Sequence, residues 1–175
     1  TMRSPAEAVA RAEQQLALVP PAGRSPALLE LFGALRCQPW ADWAPPPPAW
    51  CRNDPNPPNF IPAAGRWRSV DWEYSGWGDG AFEIADLLAH PAYAAVPAAR
   101  RAWLIAAYAA ATGDPQAPER IHVYFAAMLV WWVARTARVL HGSDTRRLAE
   151  LPGDWLARAE AQHETYLKWA RAALA

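Results

Sequence analysis

A chain of 175 residues, 53% apolar and 19% charged, is long enough to bury a core and too apolar to stay disordered. Its 17 basic residues balance 17 acidic ones, so no net positive charge draws it to nucleic acid or to an anionic membrane surface.

Ser4-Pro5-Ala6-Glu7 predicts a helix start, with serine capping, proline in the first turn and Glu7 completing a capping box. That helix runs to about Leu18 and stops at Pro20-Pro21. Ser25-Pro26 opens a second helix ending near Arg36, with Leu28, Leu29, Leu31, Phe32 and Leu35 on its apolar face. Cys37 follows, then Pro45 to Pro48 as a stiff spacer. Cys37 and Cys51 read as two free thiols in a reduced cytosol, with a disulfide as the alternative, and no zinc-type Cys/His spacing appears.

Short β-like runs, Asn59-Phe60-Ile61 and Trp67-Arg68-Ser69-Val70, flank Pro62-Ala63-Ala64-Gly65 and predict a small hairpin. Helices are then expected over 81–89, 97–112, 119–140 and 144–151, with a last one from Asp154 to about Leu174. The most apolar run, Ile121 to Ala134, is shorter than the roughly 20 residues a bilayer demands and reads as a buried helix. Trp131, Trp132, Trp155 and Trp169 read as core packing, with an aromatic cage for a quaternary ammonium group as the alternative. His90, His122, His141 and His163 are scattered and read as structural or surface groups. Arg100-Arg101 and Arg146-Arg147 read as solvated faces. The expected fold class is mainly α with a small β-hairpin, in one lobe spanning 1–175.

Chemically informative residues crowd around the hairpin. Asp54 and Asn59 stand in a D-x-x-x-x-N pattern on the proline-stiffened loop Asn53-Asp54-Pro55-Asn56-Pro57-Pro58-Asn59. Val70-Asp71-Trp72-Glu73 ends the returning strand. A hairpin between them brings Asn59 and Asp71 to one end, with Asp54 nearby. Phosphoryl transfer requires such a set. A divalent ion must meet the charge on the phosphoryl group, and magnesium takes hard oxygen donors such as a carboxylate and an amide. A further carboxylate must orient the attacking hydroxyl and accept its proton.

Cys51-Arg52-Asn53-Asp54-Pro55-Asn56-Pro57-Pro58-Asn59-Phe60-Ile61 resembles the catalytic loop of aminoglycoside phosphotransferases and choline/ethanolamine kinases. The run from Val70-Asp71-Trp72-Glu73 through Asp79 to Ala81-Phe82-Glu83-Ile84-Ala85 resembles their metal-binding segment and following helix. The two segments arrive in the family's order, so residues 51–74 are identified as catalytic loop, hairpin and metal-binding segment. The resemblance implies Asp54 as catalytic base and Asn59 and Asp71 as magnesium ligands, with ATP as co-substrate. It implies Asp79 as an acid buttressing the loop, with an ordinary helix cap as the alternative, places Glu73 near the metal or on the solvated surface, and puts Asn53 among the supporting residues. Two departures stand out. Arg52 occupies a position where the family usually has histidine. The family's N-terminal β lobe, with its nucleotide-covering loop and phosphate-pairing lysine, has no counterpart, for Lys168 in the last helix is the single lysine.

The sequence therefore predicts the C-terminal lobe of a protein-kinase-like fold, a kinase fragment acting on an aminoglycoside, choline-like amino alcohol or sugar and inactive alone. The alternative is a non-catalytic binding module that kept the fold. Trp40, Trp43, Trp50 and Trp67 are expected on a face that self-associates or meets the missing lobe.

Overall fold

The computed structural model describes residues 2–40, 42–142 and 153–175. The expected helix 144–151 and the pair Arg146-Arg147 lie outside the described residues. The fold is mainly helical. In chain order the elements are α1 (Pro5–Ala17), α2 (Pro26–Arg36), β1 (Ala49–Cys51), β2 (Phe60–Ala63), β3 (Arg66–Ser69), β4 (Gly76–Gly78), α3 (Gly80–Ala89), α4 (Ala98–Thr112), α5 (Ala117–His141) and α6 (Trp155–Leu174). The chain divides into two compact units, one of 1–5 and 41–125, the other of 6–40 and 126–175.

The first unit holds the four strands, α3, α4 and the start of α5. β2 and β3 form the expected antiparallel hairpin, with Phe60 opposite Ser69 and Ala63 opposite Arg66. Its two-residue turn takes positive φ at Ala64 (49°) and Gly65 (75°), the hand that suits the twist of paired strands. β1 and β4 form a second antiparallel ladder, pairing Cys51 with Gly76 and Ala49 with Gly78. This ladder is absent from the sequence reading. It closes the base of the excursion running from the loop through the hairpin to the Asp71 segment. Phe82 and Tyr124, both fully buried, meet edge to face at 5.7 Å in this unit's core.

In the second unit α2 packs against α6. The Ser25 hydroxyl caps α2 by accepting from the Leu28 amide at 3.2 Å. Of the predicted stripe, Leu28, Leu31, Phe32 and Leu35 are buried, each stabilising the fold by roughly 1.5–3 kcal/mol, while Leu29 points to solvent and is exposed. Trp132 stacks on the fully buried Tyr166 at 5.6 Å, and Trp131 and Trp169 extend the cluster edge to face. These three tryptophans, like Trp155, are half-buried, and they pack around the buried Tyr166 at the edge of the core. His163 is structural too, its Nδ1 lying 2.8 Å from the Thr136 hydroxyl while burial lowers its pKa.

Two expectations change. α5 runs to 25 residues and is long and apolar enough to cross a membrane, but 61% of its apolar window is buried inside the protein, which marks a core helix. Arg101 is no solvated face. Its guanidinium donates to the carbonyls of Val96 (3.0 Å), Ala94 (2.9 Å) and Tyr93 (3.4 Å), fastening the turn before α4.

Candidate active site

Asp54 sits half-buried on the loop between β1 and β2. Its Oδ1 accepts from the Asn56 amide at 3.2 Å, an Asx turn that the following prolines stiffen. Its Oδ2 accepts from Asn59 Nδ2 at 2.6 Å, so the motif's two polar residues are in direct contact. Asn59 is buried at the start of the hairpin, and its amide nitrogen is spent on Asp54. That leaves the amide oxygen accepting no hydrogen bond among the described residues.

Asp71 lies just past β3, exposed, at a positive φ of 61°. Its carboxylate makes no hydrogen bond among the described residues. Asn53, at the other shoulder of the site, also has positive φ (60°), and its side-chain amide donates to the Tyr74 carbonyl at 3.0 Å. Non-glycine residues in this region cost free energy and gather where surrounding structure forces a geometry. Glu73 is exposed. Its hydrogen bond to the Tyr74 phenol is the main cause of that hydroxyl's raised pKa, with smaller pushes from the charges of Asp71 and Asp54.

The oxygen donors fit magnesium. A carboxylate and an amide oxygen, neither committed to another bond, form the small hard set that this ion accepts while keeping waters and phosphate oxygens. No group of three or more His, Cys, Asp or Glu able to hold a metal occurs among the described residues.

Asp79 is placed otherwise than expected. It caps α3, accepting from the Ala81 amide at 2.9 Å, and pairs with buried Arg120 at 2.7 and 3.3 Å, while the Tyr124 hydroxyl donates to it at 3.2 Å. Gly80 follows because a Cβ there would collide with the Tyr108 hydroxyl. The carboxylate that touches the loop is Glu83, whose Oε1 accepts from the Arg52 amide at 3.1 Å. Burial raises the Glu83 pKa, and this bond and the Arg52 charge pull against it. Glu83 was not singled out in the sequence. Its position one turn after an N-cap acid, in Phe82-Glu83-Ile84-Ala85, is the available signal.

The loop's foundation makes one result predictable. Cys51 is fully buried in β1, and burial, reinforced by Glu83 and Asp79, pushes its thiol up to about 11. Cys37 is exposed, and both thiols are free. Titration with a disulfide reagent at pH 8 should modify one thiol rapidly and the second only on unfolding. Two equally fast thiols would contradict the packing of β1 on its surroundings.

Around the site, Trp67 (74% exposed) and Trp50 (51%) lie open, and Trp50 meets Trp77 edge to face at 5.3 Å. Trp40 and Trp43 are half-buried, with Trp43 against Tyr124 at 5.4 Å.

The model of a phosphotransferase enzyme family matches residues 2–124, a range that holds the loop, the hairpin, the Asp71 segment and α3. Among solved structures, the choline kinase LicA from Streptococcus pneumoniae is similar in fold, with a TM-score of 0.52 and 18% identity over 93% of this chain. The chain spans 55% of that protein's length. No curated protein matches the sequence.

Proposed function

The chain belongs to the phosphotransferase enzyme family, and on that premise we propose that it is the catalytic lobe of an ATP-dependent small-molecule kinase. The observation that carries this reading is the contact of Asp54 with Asn59 at 2.6 Å, which leaves the Asn59 amide oxygen available for an ion. Asn59 and Asp71 would hold magnesium, which would supply charge neutralisation at the phosphate oxygens. Asp54 orients the acceptor hydroxyl and takes its proton as the oxygen attacks the γ-phosphorus and the bond to the β-phosphate oxygen breaks. The bond from Asn59 and the Asx turn hold the Asp54 carboxylate in one rotamer, so little reorganisation is needed at reaction. Glu83 and the Asn53 side chain fasten the loop just before Asp54.

The acceptor is an alcohol on a small molecule: an aminoglycoside, a choline-like amino alcohol or a sugar. The likeness to a choline kinase favours the amino alcohol among these. A nucleotide lobe, on this polypeptide or on another, covers the ATP, and the open tryptophans at 50 and 67 belong to the face that meets it or a second copy. A cytoplasmic location suits the co-substrate.

Binding of Mn2+ as a magnesium surrogate, followed by water-proton relaxation, tests the assignment without requiring turnover. Wild-type protein should bind it weakly and Asp71→Asn should lose the signal. Binding unaffected by Asp71→Asn and by Asn59→Leu would remove the metal site, and a non-catalytic module would then be the better reading.

A further inference from the structure

Arg52 is 3% exposed, yet it carries a full positive charge. Its guanidinium donates to three main-chain oxygens: Asn59 O at 3.3 Å, Val70 O at 2.6 Å and Asp71 O at 3.2 Å. Two of these belong to the residues assigned to the metal. The same Asn59 oxygen also accepts from the Val70 amide at 3.0 Å, so the start of β2 and the end of β3 share one junction. The guanidinium lies 4.9 Å from the Phe60 ring centroid and 5.7 Å from that of Trp72, a stacking arrangement a planar cation favours. Its own backbone is held in turn by Glu83.

We propose that Arg52 is a positioning residue that sets the separation of Asn59 and Asp71 by gripping the backbone carbonyl of each. This rests on the assignment of those two residues to magnesium. The geometry requires arginine. Three oxygens from two chain segments are reached by one rigid fork with five donors, whereas an imidazole offers two nitrogens and an ammonium no planar fork. Asp71 has positive φ, and its carbonyl is oriented by the bond from Arg52 Nη2. Without the fork, the end of β3 would relax and carry the Asp71 carboxylate with it.

The test is Mn2+ affinity of the 175-residue chain, by water-proton relaxation, for wild type, Arg52→Lys, Arg52→Ala and Asp71→Asn, each with its melting temperature. Residues that orient metal ligands typically change affinity by about 10–100-fold, so Arg52→Lys should weaken Mn2+ roughly tenfold or more while remaining folded. Guanidinium at low, non-denaturing concentration should restore part of the affinity to Arg52→Ala and none to Asp71→Asn. A folded Arg52→Lys that binds Mn2+ as wild type does would overturn the inference, even if its melting temperature fell. If Arg52→Ala does not fold, Arg52→Lys alone decides. Wild-type protein without Asp71-dependent Mn2+ binding would overturn the metal assignment itself, and the inference with it.

Discussion

Replacing Arg120 with methionine should lower stability by about 3–5 kcal/mol, because it strands a buried carboxylate. Arg120 and Asp79 are 3% and 2% exposed, and they meet through two bonds of 2.7 and 3.3 Å. Among the described residues, removing the cation leaves Asp79 the Ala81 amide and the Tyr124 hydroxyl to offset its desolvation. For a chain of this size the loss corresponds to a fall in melting temperature of roughly 6–20 °C. Arg36 gives the contrast. Its 2.6 Å bond to Glu13 is as short, but the two side chains are 52% and 42% exposed, and Arg36→Ala should cost less than about 1 kcal/mol. Equal losses from the two variants, measured by thermal denaturation, would show that burial does not set the strength of these pairs. Pairing Arg120→Met with Asp79→Asn should recover part of the loss, since both charges then leave the interior.

The same cluster gives acid sensitivity with a defined sign. Arg120 also donates to Asp114 at 2.6 Å, and this bond is the main reason the Asp114 carboxyl titrates below its usual 3.8. A depressed carboxylate contributes stability that is present above its unfolded pKa and lost as pH falls through the folded value. Wild-type protein should therefore lose this contribution on acidification below about pH 4, and Arg120→Met should lack that component of the acid transition.

How much of this was legible depended on range along the chain. Ser25 as the α2 cap, the stripe from Leu28 to Leu35, and the Asp54–Asn59 pair are local, and local spacing is what periodicity and turn chemistry encode. The β1–β4 ladder was hidden for the opposite reason. Ala49-Trp50-Cys51 and Gly76-Trp77-Gly78 are three residues each, too short to show alternation, and glycine argues against strand. Buried arginines were also invisible. Arg52 and Arg120 work through a carbonyl 19 residues away and a carboxylate 41 residues away, which only the fold brings to them. Arginine in a sequence reads as surface by default. Asp79 was drawn toward the loop by resemblance, when its position before an apolar helix already suited a cap. The loop contact passed to Glu83, one turn on, because a capped Asp79 points its oxygens at the helix amides and at Arg120.

Asp54→Asn should abolish phosphoryl transfer wherever this lobe is joined to a nucleotide lobe, with kcat falling by about 10²–10⁴. The amide keeps the size of the carboxylate and its one oxygen can still accept from the Asn56 amide, so the Asx turn should hold, while its nitrogen can no longer accept from Asn59. What it loses is the capacity to take a proton from the acceptor hydroxyl. KM for the alcohol should therefore change far less than kcat, since the loss is confined to the transition state. Asn59→Leu should differ in kind. It removes the amide oxygen assigned to magnesium and also frees the Asp54 carboxylate from its 2.6 Å anchor, so the requirement for the metal should rise together with the loss of rate. The 175-residue chain alone should show little turnover with any alcohol, because much of the rate in this chemistry comes from fixing the phosphates, and the chain's single lysine, Lys168, lies on α6. Substantial ATP-dependent phosphorylation by the purified chain, undiminished in Asp54→Asn, would show that the proton leaves by another route and would remove Asp54 from the reaction.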